Sequence, residues 1–218
     1  MRYIRNVKFP FRTPYDDEDR LAKLKEIAKA SINDQSMGQA DLNLLKSWGV
    51  TEFHGYEGNY GIDLPADWVS DYARAFFNKM GYAVVGAEYF YFSPGYKMDI
   101  HIDGAQYCRK AKFNWAWGGD HIFEFFEPLE QGNRDDVAIS GSAYSWGFTE
   151  EQVELKEAAP MGLPSLVCVG VPHRVTNGPE PLELFNICIW KKGLKREDDD
   201  FGGMDMEDAE KDFHEYLL

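Results

Sequence analysis

The sequence predicts a mainly-β domain with N-terminal helices, most simply a jelly roll of two antiparallel sheets. From Tyr82 onward, short β-branched or aromatic stretches follow one another at near-regular intervals, separated by Gly, Pro, Asp or Asn. No helical period interrupts them, so crossover helices are missing and antiparallel pairing is the simplest solution. Before Tyr82 the texture differs, with apolar residues recurring at three-to-four spacing as on an amphipathic helix.

In order, "DDEDRLAKLKEIAKA" opens with acidic residues and then places Leu21, Leu24, Ile27 and Ala28 on one stripe, which predicts a helix. "ADLNLLKSWG" repeats the pattern and ends at Gly49, a residue suited to a helix C-terminus. "TEFHGYEGNYGID" mixes glycine with aromatics without a period and is read as a loop. "PADWVSDYARAFFNKMG" carries proline near its start and Gly81 past its end, which predicts a third helix. Roughly eight strands follow: "AVVGAEYFYF", "YKMDIHID", "AKFNWAWGG", "HIFEFFEPL", "AISGSAYSWGF", "QVELKEAAP", "SLVCVGVPHRVT" and "LELFNICIWKK". The expected organisation is a helical segment over 1–81, a β core over 82–195 and an acidic tail over 196–218. The tail is read as a solvated appendage that docks a few apolar residues or stays mobile.

The composition limits what the protein binds. With 44% hydrophobic and 15% aromatic residues over 218 positions, the chain can bury a sizeable core. Its formal charge of -14 repels phosphate-rich partners, so nucleic acid is not expected. No stretch approaches the roughly 18 to 20 apolar residues that span a bilayer, and the N-terminus lacks the apolar core of a signal peptide. A cytoplasmic protein is expected. Cys108, Cys168 and Cys188 lack CxxC spacing and sit among apolar or β-prone neighbours, as buried free thiols do.

Chemistry concentrates in "KMDIHID". His101 and Asp103 alternate with Ile100 and Ile102, so on a strand the imidazole and the carboxylate leave one face and the isoleucines the other. A third ligand has to come from a distant strand, and His173, closing the apolar run "SLVCVGVPH", is the best candidate. Two histidines and one carboxylate form the facial set that suits non-haem Fe(II), with positions open for co-substrate and dioxygen. Zinc is disfavoured, because HExxH spacing is absent.

"YFSPGYKMDIHID" followed by "VGVPHRVTN" resembles the 2-oxoglutarate- and Fe(II)-dependent oxygenase superfamily, over about half the chain, from Tyr82 to Lys192. The resemblance implies a double-stranded β-helix, a cupin-like jelly roll, with His101, Asp103 and His173 as iron ligands and Tyr91 facing the co-substrate. It also implies oxidative decarboxylation of 2-oxoglutarate coupled to oxidation, as a hydroxylase, of an unidentified small molecule or protein side chain.

Such a site must hold the far carboxylate of 2-oxoglutarate with a buried cation. Members usually carry an arginine about ten residues after the distal histidine, where this chain has Leu182, Glu183 and Leu184. Some branches use a basic residue on the strand after the first histidine, and "YCRKAKFNW" supplies Arg109, Lys110 and Lys112 there. Because side chains alternate, Arg109 shares a face with Ala111 and Phe113, and Lys110 with Lys112 and Asn114. Arg109 is the favoured anchor and Lys112 the reserve. Arg174, next to a ligand, points to the opposite side if its strand continues. His121 has no carboxylate two residues on and is left out of the site. A metal-binding jelly roll without 2-oxoglutarate chemistry is the alternative.

Overall fold

The structure is a computed structural model, and it describes residues 2–34, 39–50, 53–56, 59–103, 109–118, 120–131, 146–193 and 204–218. Two antiparallel sheets form a jelly roll. The larger runs in the order β1 (Ile4–Asn6), β10 (Ser165–Cys168), β6 (Lys110–Trp117), β12 (Leu182–Lys191), β4 (Tyr82–Phe92), β3 (Asn59–Pro65), β2 (Phe53–Tyr56), with β13 (Met204–Asp205) also paired to β6. The smaller runs β8 (Trp146–Phe148), β5 (Ile100–Ile102), β11 (His173–Thr176), β7 (Ile122–Pro128), β9 (Val153–Ala159). This is the mainly-β jelly roll expected from the strand pattern, and the double-stranded β-helix that the resemblance implies.

Helices α1 (Glu18–Asp34), α2 (Gln39–Ser47), α3 (Asp71–Lys79) and α4 (Met206–Asp212) accompany the sheets. In α1 the predicted stripe Leu21, Leu24, Ile27 and Ala28 is buried, and Asp17 Oδ1 accepts the Arg20 backbone N–H at 2.7 Å. Ser70 caps α3 by accepting from the Ala73 N–H at 3.0 Å. Gly49 ends the α2 segment at φ +71, where its missing side chain matters, since a Cβ would stand 2.9 Å from Pro65 Cγ.

The main core lies against one face of the large sheet. Phe77 and Phe213 pack on Phe113 at ring-centroid distances of 5.4 and 4.9 Å, and Phe9 stacks on Trp115 at 5.3 Å. Alternation on β6 turns Lys112, Asn114 and Ala116 the other way, into the space between the sheets.

Two expectations are corrected. The 51–63 stretch read as a loop contains β2 and most of β3, because Tyr60, Ile62 and Leu64 alternate towards the core while Gly61 and Asp63 face away. The first 81 residues therefore contribute strands to the same sheet as the β core, besides packing helices on it. Of the two alternatives for the tail, residues 204–218 take the docked one: Met204, Met206, Ala209 and Phe213 are buried, β13 pairs with β6, and the Leu218 N–H donates to Asn6 O at 2.9 Å. Apolar residues at helical spacing outweigh the acidic average of that segment. Most of the strand expected over 138–148 lies outside the described residues, as does Cys108; Cys168 and Cys188 are free thiols.

Candidate metal centre

His101 on β5 and His173 on β11 face each other directly in antiparallel register. Their ring centroids are 4.5 Å apart. Each ring is fixed through the nitrogen on its far side: His101 Nδ1 donates to Asp99 O and His173 Nδ1 to Val171 O, both at 2.9 Å. A backbone acceptor two residues earlier in each case keeps the proton on Nδ1 and turns the Nε2 lone pair inward.

Asp103 completes the cluster. Its Oδ1 lies 3.5 Å from His101 Nε2 and 4.0 Å from His173 Nε2. One ligand atom from each of the three residues lies within 4.8 Å of the others. Cis donors on an octahedral ion stand roughly 3 Å apart, so closure on a cation needs shifts on the order of 1 Å. The Asp103 N–H donates to Val169 O at 2.8 Å, which ties the end of the HxD segment to the strand leading to His173.

The second carboxylate oxygen is held from the opposite sheet. Lys112 Nζ lies 2.9 Å from Asp103 Oδ2 and 2.9 and 3.0 Å from the two oxygens of Glu88 on β4. Asn186 Nδ2 on β12 also donates to Glu88, at 3.2 Å. Burial works against the Lys112 ammonium, but Asp103 and then Glu88 outweigh it and hold its pKa well above the usual lysine value. Asp103 is likewise penalised by burial, and Lys112 with the two imidazoles holds it well below the ordinary aspartate range. Burial and then His101 push His173 down to about 4. For His101 burial is outweighed by the hydrogen bond and charge of Asp103, which raise it. The two imidazoles thus take at most one proton beyond those on their Nδ1 atoms, and the carboxylate is ionised.

The structure brings His101, Asp103, His173 and Lys112 together and leaves two other expected residues apart. Arg109 shares the helix-covered side with Ala111 and Phe113, and its guanidinium pairs with Glu207 on α4. Tyr91 lies on that side too, stacked on Tyr60 at 5.1 Å with Lys29 Nζ 5.3 Å from its ring. Both are corrected: alternation sends them to the face opposite Lys112 and Glu88, away from the imidazoles. Arg174 leaves the outer side of β11 as expected, where it pairs with Glu124 at 2.5 and 3.1 Å. His121 borders a cleft of about 480 Å³ with Ala116, Asp120 and Met161. Its position four residues before Phe125, the direct neighbour of His173, puts it towards the other end of the barrel.

Glu88, Asn114 and Asn186 were missed. The signal was present: each is a polar residue inside a strand, flanked on both sides by apolar or aromatic residues. A charge in a central strand calls for a buried partner.

Fold and side-chain placement together define a jelly-roll protein with a two-histidine, one-carboxylate cluster between its sheets. No protein-family model and no curated protein matches the chain. Among solved structures it is similar to oxalate decarboxylase from Bacillus subtilis, at 14% identity over 72% of this chain and 30% of that one, with a TM-score of 0.34. It is also similar to oxalate oxidase in complex with glycolate, at 15% identity over 63% and 57% of the two chains and a TM-score of 0.32. A third is ycfD of E. coli, at 10% identity over 82% and 47% and a TM-score of 0.43. The matched region spans less than two thirds of each of those chains. Among the described residues, no helix is long and apolar enough to cross a membrane.

Proposed function

We propose that the chain is an Fe(II)- and 2-oxoglutarate-dependent oxygenase acting as a hydroxylase, with His101, Asp103 and His173 as metal ligands. The observation that supports this reading is the convergence of two Nε2 atoms and Asp103 Oδ1, with both Nδ1 atoms occupied by backbone carbonyls. The donor set, two neutral nitrogens and one anionic oxygen, fits a ferrous ion with three positions left over. Bound there, Fe(II) supplies the redox chemistry that couples 2-oxoglutarate decarboxylation to oxidation of a second substrate by dioxygen. The chain's own part is placement. The backbone acceptors fix the imidazole tautomers, and Lys112 holds one oxygen of Asp103 so that the other faces the imidazoles. Lys112 also takes the anchoring role that Arg109 is too far round the sheet to fill, its ammonium being the buried cation nearest the cluster among the described residues that pair with it.

The test is release of labelled carbon dioxide from 1-labelled 2-oxoglutarate by protein loaded with Fe(II). The reading expects substrate-independent turnover that His173→Ala abolishes and Lys112→Met reduces at least tenfold. Turnover in neither wild type nor variants, despite bound metal, would remove the 2-oxoglutarate part.

One observation favours a second reading, a metal-binding jelly roll that uses no 2-oxoglutarate. The charge of Lys112 is already met by Asp103 and Glu88, so a dianion has to compete with Glu88 for it. On that reading Lys112 only orients Asp103, and 2-oxoglutarate leaves the melting temperature of the metal-loaded protein unchanged.

A further inference from the structure

A row of polar side chains crosses the inner face of the large sheet in direct cross-strand register. Asp63 on β3 stands opposite Glu88 on β4, and Glu88 opposite Asn186 on β12. Asn186 stands opposite Asn114 on β6, and Asn114 opposite Ser165 on β10. Inner faces of packed sheets are ordinarily apolar, and the other face of these same strands is: Tyr89, Ile187, Phe113 and Leu166 are buried there. Such a row on five adjacent strands has to be matched by something polar.

The match is incomplete within the protein. Asn114 and Asn186 are only 3% and 7% exposed, yet among the described residues no donor reaches the Oδ1 of either. Asn186 turns its Nδ2 to Glu88 at 3.2 Å, so its oxygen is directed elsewhere. Glu88 in turn has both oxygens on Lys112, so its acceptors are already engaged. What is left over is neutral acceptor capacity, desolvated and unused, on two neighbouring strands. Asn114 lies two residues beyond Lys112 on β6, and the ammonium that touches Asp103 reaches this same row at Glu88.

We propose that Asn114 and Asn186 form the wall of a binding site for a small neutral molecule that donates hydrogen bonds, a carboxamide or an alcohol. The site takes N–H or O–H groups on the two carboxamide oxygens and rejects a carboxylate of the same shape, which brings no donor and meets Glu88 beside it. The inference needs neither metal nor 2-oxoglutarate; where it names the second substrate of the oxygenase, it rests on that reading.

The experiment follows the side-chain NH2 resonances of Asn114 and Asn186 in the metal-free full-length protein, assigned with Asn114→Leu and Asn186→Leu, during titration with propionamide and separately with propionate. Propionamide is expected to shift both resonance pairs saturably, with propionate binding at least tenfold more weakly. Asn114→Leu is expected to weaken propionamide binding at least tenfold while the melting temperature stays level or rises by about 2–4 °C, because a desolvated, unused acceptor is removed. Asn186→Leu, which also releases Glu88, should weaken binding equally. Equal binding of the two probes, binding of neither, which leaves ordered water as the row's partner, or unchanged binding in Asn114→Leu would each overturn the proposal. Since no metal or 2-oxoglutarate is present, failure of the oxygenase reading leaves this outcome intact.

Discussion

Lys112 Nζ stands 2.9 Å from Asp103 Oδ2, so one carboxylate is divided between an ammonium from the large sheet and two imidazoles on the small one. The contact joins the two sheets at the level of the metal cluster. It fixes which oxygen of Asp103 faces the histidines, and it makes the cluster a small electrostatic unit with Glu88 at its far end.

Lys112→Met should therefore destabilise the metal-free protein by about 3–5 kcal/mol, since two carboxylates lose their buried counter-charge. Adding Glu88→Gln should restore part of that loss, because the pair interacts directly. Urea unfolding of the single and double variants at pH 7 measures the coupling. Strict additivity would place the two residues in separate environments.

His173, held down to about 4, gives a pH dependence whose sign follows from linkage. An unfolded histidine titrates near 6.5, so between roughly pH 6.5 and 4 the unfolded chain binds more protons and stability falls as the pH falls. The full excursion is about 3 kcal/mol and levels off below pH 4. His101 is raised, so its contribution runs the other way: it is present below roughly pH 6.5 and lost as the pH climbs through the folded value. Unfolding of metal-free wild type against His173→Gln from pH 4 to 7 isolates the first effect. Parallel curves would mean that His173 is not buried neutral.

The raised His101 also predicts that metal displaces a proton. Calorimetric titration with Mn(II) at pH 6.5, in buffers of different ionisation heat, should report release of more than about half a proton per ion bound. No buffer dependence would mean that His101 is already deprotonated.

On the outer face, Arg174→Ala should cost about 2–4 kcal/mol, because the guanidinium holds Glu124 across β11 and β7 and lies 5.2 Å over Phe126. Metal stoichiometry should be unchanged, as the side chain leaves the strand away from His173. Phe213→Ala in the C-terminal segment should cost about 3–5 kcal/mol, since that ring is fully buried against Phe77, Tyr82 and Phe113. A near-neutral result would favour the mobile alternative for 204–218. Thermal or urea unfolding checks both.

Much of the fold was legible because strands betray themselves by composition and spacing, and the placement of His101 and Asp103 on one face followed from alternation alone. What stayed hidden depended on which of two faces turns inward. Arg109 and Lys112 lie three residues apart, and alternation says only that they oppose each other; the inner face was decided by Phe77 and Phe213, which come from helices on either side of the chain and claim Phe113 for the core. Tyr91 was misplaced for the same reason, with Tyr60 waiting on the helix side. The Glu88 pairing depends on β4 and β6 both flanking β12, a long-range arrangement that no local pattern encodes. Whether the C-terminal segment docks or stays mobile was left open by the sequence, because seven residues with a high acidic content offer only Met206 and Ala209, and then Phe213, as signs of burial.

The central claim is that three residues from two neighbouring strands enclose one divalent cation, and titration of the purified protein with Mn(II), followed by loss of the free-ion electron paramagnetic resonance signal, tests it most directly. Wild type should take up one equivalent and gain stability accordingly, while His173→Ala and Asp103→Ala, still folded, should take up none at the same concentration. Uptake undiminished in both variants, or absent from wild type, would contradict it.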